Sequence, residues 1–178
     1  KVAVLEMHRV LSGQTGQTTA HLTELLDTPY TTLLKDFGEK GAHLAASSSR
    51  AAIEQIASLV ETLGIDCGFT RVPGYRYAET DAELRELLHE VSAAKQVGLL
   101  ATFTKEVPLP FPVKGALRVE DQAVFHPREY LLALADRIPG DGCHLFENTQ
   151  VVDIHDGTPC RVVTERGTVT AQALVEAT

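Results

Sequence analysis

The chain has 178 residues, 44% of them hydrophobic and 22% charged, with a formal charge of −8. That length and apolar content suit one globular domain, or two small interleaved ones, around a buried core. The negative balance excludes a nucleic-acid surface, which needs clustered Lys and Arg, and no apolar run reaches the roughly 18 residues of a membrane-spanning helix. The acids are scattered along helical segments and read as solvated faces. Cys67, Cys143 and Cys160 lie far apart with no C-x-x-C, so they read as reduced, packed thiols of a cytoplasmic protein.

Residues 2–6, Val-Ala-Val-Leu-Glu, predict a short buried parallel strand that ends on an acid. In a dinucleotide-binding fold such an acid closes the second strand and holds a ribose hydroxyl, roughly 20 residues after a glycine fingerprint. Only Lys1 precedes this strand, and residues 173–178 form a further apolar strand with no turn after it. Both ends are therefore expected to be cuts in a longer protein. Residues 9–23 are small, polar and glycine-containing, which predicts a loop open to close ligand approach and then a helix start.

Two helical segments follow. The second carries Ile53, Ile56, Ala57, Val60 and Leu63 on one face and is stopped by Gly64. Residues 67–78 predict a strand bent at Pro73 and Gly74. Thr80 and Glu83 have the spacing of a capping box before a helix with Leu84, Leu87, Leu88, Val91 and Ala94 inward. Residues 99–104 form a short strand, and residues 108–112, with three prolines, a rigid connector. Residues 115–125 read as a hairpin turning at Glu120, Asp121 and Gln122. Pro127 opens another helix, ended by residues 139–142. From Cys143 on, the period becomes two. Residues 150–154, 160–164 and 167–170 are strands of a β-meander, separated by turns at Asp156 and Gly157 and at residues 165–167.

The order implies an α/β part with an α+β insertion. Residues 1–27 and 140–178 are expected to form a partial Rossmann-like part with its meander. It is interleaved with residues 28–139, a helical segment plus a mixed-sheet, substrate-side insertion.

Four segments carry a family resemblance: Val4-Leu5-Glu6 with Arg9; the Ser-Gly-Gln-Thr-Gly-Gln-Thr-Thr-Ala-His-Leu-Thr run of residues 12–23; Phe-His-Pro-Arg-Glu-Tyr-Leu at 125–131; and Thr-Glu-Arg-Gly at 164–167 with Leu-Val-Glu-Ala-Thr at 174–178. The chain resembles, nearly throughout, the FAD-dependent oxidoreductases of the D-amino-acid oxidase/glycine oxidase type. It is most similar to bacterial members with a C-terminal Rieske domain. The resemblance implies an FAD enzyme that takes a hydride from an amine or amino-acid-like small molecule. It implies that Glu6 bonds the adenosine ribose, that Arg9, Ser12, Gly13, Thr15, Thr18 and Thr19 line the pyrophosphate and ribityl side, and that the backbone of Val151 meets the adenine edge. Ala177 and Thr178 would begin a segment returning to the cofactor. His21 stands where close relatives usually carry Lys.

Tyr75 and Tyr77 lie two apart on a strand and share a face with Arg71; in the resembling family this insertion supplies the substrate wall, and core packing is the competing role. The sequence shows no nucleophile–base pair and no metal-ligand spacing among its seven histidines, and it lacks the Rieske ligand signature. No catalytic residue is singled out. Without the fingerprint strand, the chain by itself is expected to be inactive, to hold FAD poorly and to self-associate through open strand edges. The alternative is a non-catalytic binding or interaction module derived from a nucleotide-binding fold; an NAD(P) protein is disfavoured by the meander and the long insertion.

Overall fold

The computed structural model describes residues 1–177. The chain divides into two compact units: Lys1–Thr18 with the chain from Pro127 onward, and Thr19–His126.

The unit formed by residues 19–126 is a sheet covered by helices. Strand β2 (His21–Leu22) leads to helix α1 (Tyr30–Leu63), then β3 (Thr70–Ala78), α2 (Asp81–Gln96), β4 (Ala101–Thr104) and β5 (Gly115–Val124). Strand β5 is central. It pairs antiparallel with β3 along its whole length on one side, and with β4 and β2 on the other. Three breaks in the helices have a local cause. Gly38, at φ 69°, breaks α1 into the two expected segments, and Gly64, at φ 60°, caps its C-terminus in the left-handed conformation. Thr80 and Glu83 form a complete capping box at the start of α2. The core joins Tyr30, Ala42 and Ala46 of α1, Leu87, Val91 and Ala94 of α2, and Leu117 and Val119 of β5.

Several expectations are corrected. Residues 115–125 are one strand rather than a hairpin. The turn-like residues Glu120 and Asp121 form a β-bulge opposite Pro73, shifting the register between Val72 and Gly74. Pro73 has no N–H to give the ladder, and Asp121, at φ 59°, accepts the left-handed conformation that absorbs the extra residue. The hydroxyl-rich loop does not start a helix. A single 3-10 turn (Gln14–Gln17) and β2 intervene, because Ser and Thr favour local turns over helix interiors. The acids are not all solvated, since Glu24 and Glu90 are 2% and 5% exposed.

In the other unit, β1 (Ala3–Leu5) pairs in parallel with β6 (His144–Phe146). Helix α3 (Pro127–Ala135) packs on the 3-10 turn and buries Tyr130. Strands β7 (Val151–His155), β8 (Cys160–Thr164) and β9 (Gly167–Ala171) form the expected meander, with Cys160, Val162 and Thr164 of the middle strand turned inward. Strand β1 is parallel as expected but not buried: Ala3 is exposed, and Val4 and Leu5 are half-covered, because β6 is its sole ladder partner among the described residues. Residues 173–177 are not a strand, as no described strand edge pairs with them. Among the described residues, no helix is long and apolar enough to cross a membrane.

Candidate functional site

The turn after β1 is tied to the turn after β6, residue by residue. Glu6 N–H donates to the Phe146 carbonyl at 2.9 Å, Thr149 N–H to the Glu6 carbonyl at 2.8 Å, and Asn148 N–H to the His8 carbonyl at 2.7 Å. Two carboxylates add to this, one within the β1 turn and one across to it. Glu6 Oε1 accepts the His8 N–H at 2.7 Å, and Glu147 Oε1 accepts the Val10 N–H at 2.7 Å. A turn then closes from Ser12 N–H to the Arg9 carbonyl at 3.0 Å, with Leu11 held at φ 60°.

This scaffold leaves its polar groups outward. Arg9, Ser12, Gly13, Thr15 and Thr18 are exposed. Among the described residues, the Arg9 guanidinium meets no carboxylate, and Oε2 of Glu6 has no hydrogen-bond donor. Gly13 has open space where a Cβ would stand. A free carboxylate oxygen, a cation and hydroxyls on an open loop suit a ribose and a diphosphate. Val151 pairs with Thr164 on β7, an edge strand of the meander, so the outer side of its main chain has no ladder among the described residues. Ala177 is exposed, and Thr178 lies outside the described residues.

The expected substrate-side residues belong to the other unit, as does Thr19. An open groove of about 540 Å³ is lined by residues of β2, β3 and β5, including His21, Pro73, Gly74, Tyr75, Tyr77 and Ala123. Gly74 permits the close packing beneath it, since a Cβ there would come within 3.1 Å of Gln122 Cγ and 3.3 Å of Leu25 Cδ1. Tyr77 packs edge-on against Phe111 with ring centroids 5.8 Å apart.

The aromatic pair has a different cation beside it than the sequence suggested. Arg71 is held by Glu54 at 2.7 Å and by the Asp121 carbonyl at 2.8 Å, and stacks over Phe69. Arg118, the cross-strand partner of Tyr75, lies 6.0 Å from that ring instead. Its guanidinium meets Glu120 at 2.8 Å through Nε, in a contact not aligned as a hydrogen bond, and at 3.2 Å through its second nitrogen. Only the pairing register reveals Arg118; its position in the sequence looks like any alternating strand residue.

Behind the groove lies a buried polar network that sequence reasoning also missed. Glu24 accepts hydrogen bonds from Arg50 at 3.0 and 3.2 Å and from the Gln122 side-chain amide at 2.9 Å. The Tyr30 hydroxyl donates to the Glu24 carbonyl at 2.7 Å. These bonds fix the segment that runs from β2 to α1, and with it one wall of the groove.

The sequence matches the FAD dependent oxidoreductase family, DAO, over residues 1–178. The chain belongs to that family. Among curated relatives, it is 32% identical to Bacillus subtilis (strain 168) YhfW, whose name describes a Rieske 2Fe-2S iron-sulfur protein, over 93% of this chain and 32% of that protein. It is 27% identical to the gamma-glutamylputrescine oxidoreductase of Escherichia coli (strain K12), over 99% of this chain and 42% of that protein. The chain thus spans about a third to two fifths of these relatives. Among solved structures, glycine oxidase from Geobacillus kaustophilus superposes with a TM-score of 0.75 at 23% identity, covering 97% of this chain and 47% of that one. The fold is therefore that of the FAD-binding DAO oxidoreductases.

Proposed function

We propose that the chain carries the adenosine-side half of an FAD site and part of the substrate wall of an oxidoreductase that oxidises amines or amino-acid-like molecules. The family match along the whole chain carries this reading, and the outward groups of the β1 turn fit the cofactor. In this reading Glu6 accepts the ribose hydroxyls through its open Oε2. Arg9 sets its charge against the diphosphate. Ser12, Thr15 and Thr18 supply hydroxyls, and Gly13 lets the backbone approach. The free outer side of β7 at Val151 offers main-chain groups to the adenine edge.

Bound flavin supplies the hydride acceptor. The protein's contribution is to orient the substrate and exclude water. Tyr75 and Tyr77 give one wall a rigid aromatic surface, while the Arg71–Glu54 and Arg118–Glu120 pairs steady the strands beneath. The names of two similar proteins, a gamma-glutamylputrescine oxidoreductase and a glycine oxidase, support an amine or amino-acid-like molecule as the electron donor.

Purifying the full-length protein and mixing it anaerobically with a panel of amines and amino acids tests the reading. The expected result is a bound flavin whose band near 450 nm bleaches with at least one of them, on the roughly second timescale of ordinary turnover. A protein that takes up no FAD, or whose flavin no amine or amino acid reduces, overturns it in favour of a non-catalytic module.

A further inference from the structure

We infer that Glu147 is a positioning residue for the cofactor-facing turn: its carboxylate sets the main chain around Val10 so that Glu6 and Arg9 meet the adenosine diphosphate half of FAD. This rests on the flavin reading above. Three of the bonds joining the two turns are main chain to main chain and accept any side chain. The bond from Val10 N–H to Glu147 Oε1, at 2.7 Å, is different, because it depends on the identity of residue 147.

Its location makes it consequential. Val10 directly follows Arg9 and precedes Leu11, whose φ of 60° is disfavoured for a branched side chain and persists only if the flanking chain is held. Val10 is half-buried, so without an acceptor its N–H is left poorly solvated and the turn relaxes. The Glu147 carboxylate is otherwise uncommitted: among the described residues its Oε2 has no partner. The turn itself buries little apolar surface, with Met7, His8 and Arg9 all exposed. Releasing it therefore moves the cofactor-facing groups without removing a core.

The test uses the full-length apoprotein and FAD titration, with thermal unfolding of each apoprotein alongside. Glu147→Ala is expected to raise the FAD Kd about tenfold and Glu147→Asp several-fold, because the shorter acid falls short of Val10. Glu147→Gln keeps an acceptor oxygen of the same reach and is expected within about twofold of wild type, with all apoprotein Tm values within about 2 °C. Should the alanine variant fail to fold, Glu147→Asp against Glu147→Gln decides.

An alanine variant with wild-type Kd overturns the inference. So does equal weakening by Ala and Gln, which makes charge rather than the acceptor the cause, or a Kd that merely follows Tm. A wild-type apoprotein that binds no FAD overturns the flavin reading and this inference together, whereas tight wild-type binding with an unaffected alanine variant overturns this inference alone.

Discussion

Glu90 of α2 closes the first turn of α1 on Tyr30. Its Oε1 accepts the Tyr30 N–H at 2.7 Å, and its Oε2 accepts both the N–H and the hydroxyl of Thr31 at 3.0 Å. The residue in the capping position itself, Pro29, offers no side-chain acceptor. A carboxylate 60 residues further along the chain therefore does the work of an N-cap, and its charge suits the positive end of the helix.

Glu90→Ala strands the buried Tyr30 N–H, leaves the Thr31 donors to solvent and removes the carboxylate 3.8 Å from Arg76. The expected loss is about 2–3 kcal/mol of unfolding free energy, with a smaller loss for Glu90→Gln. Denaturant unfolding followed by circular dichroism reads this directly, and an alanine variant within about 0.5 kcal/mol of wild type contradicts the capping role.

Tyr30 gives the fold an alkaline limit. Burial first, and then the nearby charges of Glu24 and Glu90, push its pKa from 10.0 up to about 12. The folded state holds this proton more tightly than the unfolded one. The stability it contributes is therefore complete below pH 10 and falls as pH rises through 12. The difference in 295-nm absorbance between wild type and Tyr30→Phe should show a late-titrating tyrosinate, and the variant should lose stability less steeply over that window. A difference titration centred near 10 refutes the assignment.

The capping box of α2 sets an acid limit. Hydrogen bonds to Glu83 from the backbone of Thr80 and Glu79, and from the Thr80 hydroxyl, hold its pKa below 4.5. A depressed folded-state pKa means stability that is present above 4.5 and lost as pH falls through the folded value. Glu83→Gln should flatten part of the acid decline in the urea midpoint. Thr80→Ala should cost about 1 kcal/mol at neutral pH. Unchanged acid sensitivity in the glutamine variant would count against this origin.

If Glu6 holds the ribose of FAD, Glu6→Ala should raise the FAD Kd by about tenfold or more, since it removes a charged acceptor from two hydroxyls. The same change frees the His8 N–H, so the apoprotein Tm must be compared in parallel. Glu6→Asp, which keeps the charge on a shorter arm, should fall between the two. An alanine variant that retains FAD through dialysis as well as wild type removes Glu6 from the site.

Much of the local structure follows from residue order alone. Gly64 ends α1 and Thr80 and Glu83 start α2 because caps act within one turn of the chain. The period-two run after Cys143 gives the meander because its middle strand buries one face, which imposes alternation. The Ser-Gly-Gln-Thr-Gly run and the segment ending in Glu6 bring the family into view because the resemblance rests on short contiguous motifs that need no distant partner.

The remainder depended on partners distant in sequence. Whether residues 115–125 turn back or run on as one strand was decided by Pro73 across the ladder. Alternation puts Arg71 on the face of Tyr75, yet strand register places Arg118 beside that ring and the packing of α1 gives Arg71 to Glu54. Glu24 and Glu90 read as solvated acids until packing enclosed them with Arg50, Gln122 and the first turn of α1, and Glu147 gained its task only when β6 came to lie beside β1. Patterns set by one chain segment can be read from sequence, whereas hydrogen bonds between segments are fixed only when tertiary packing brings donor and acceptor together in a place shielded from water.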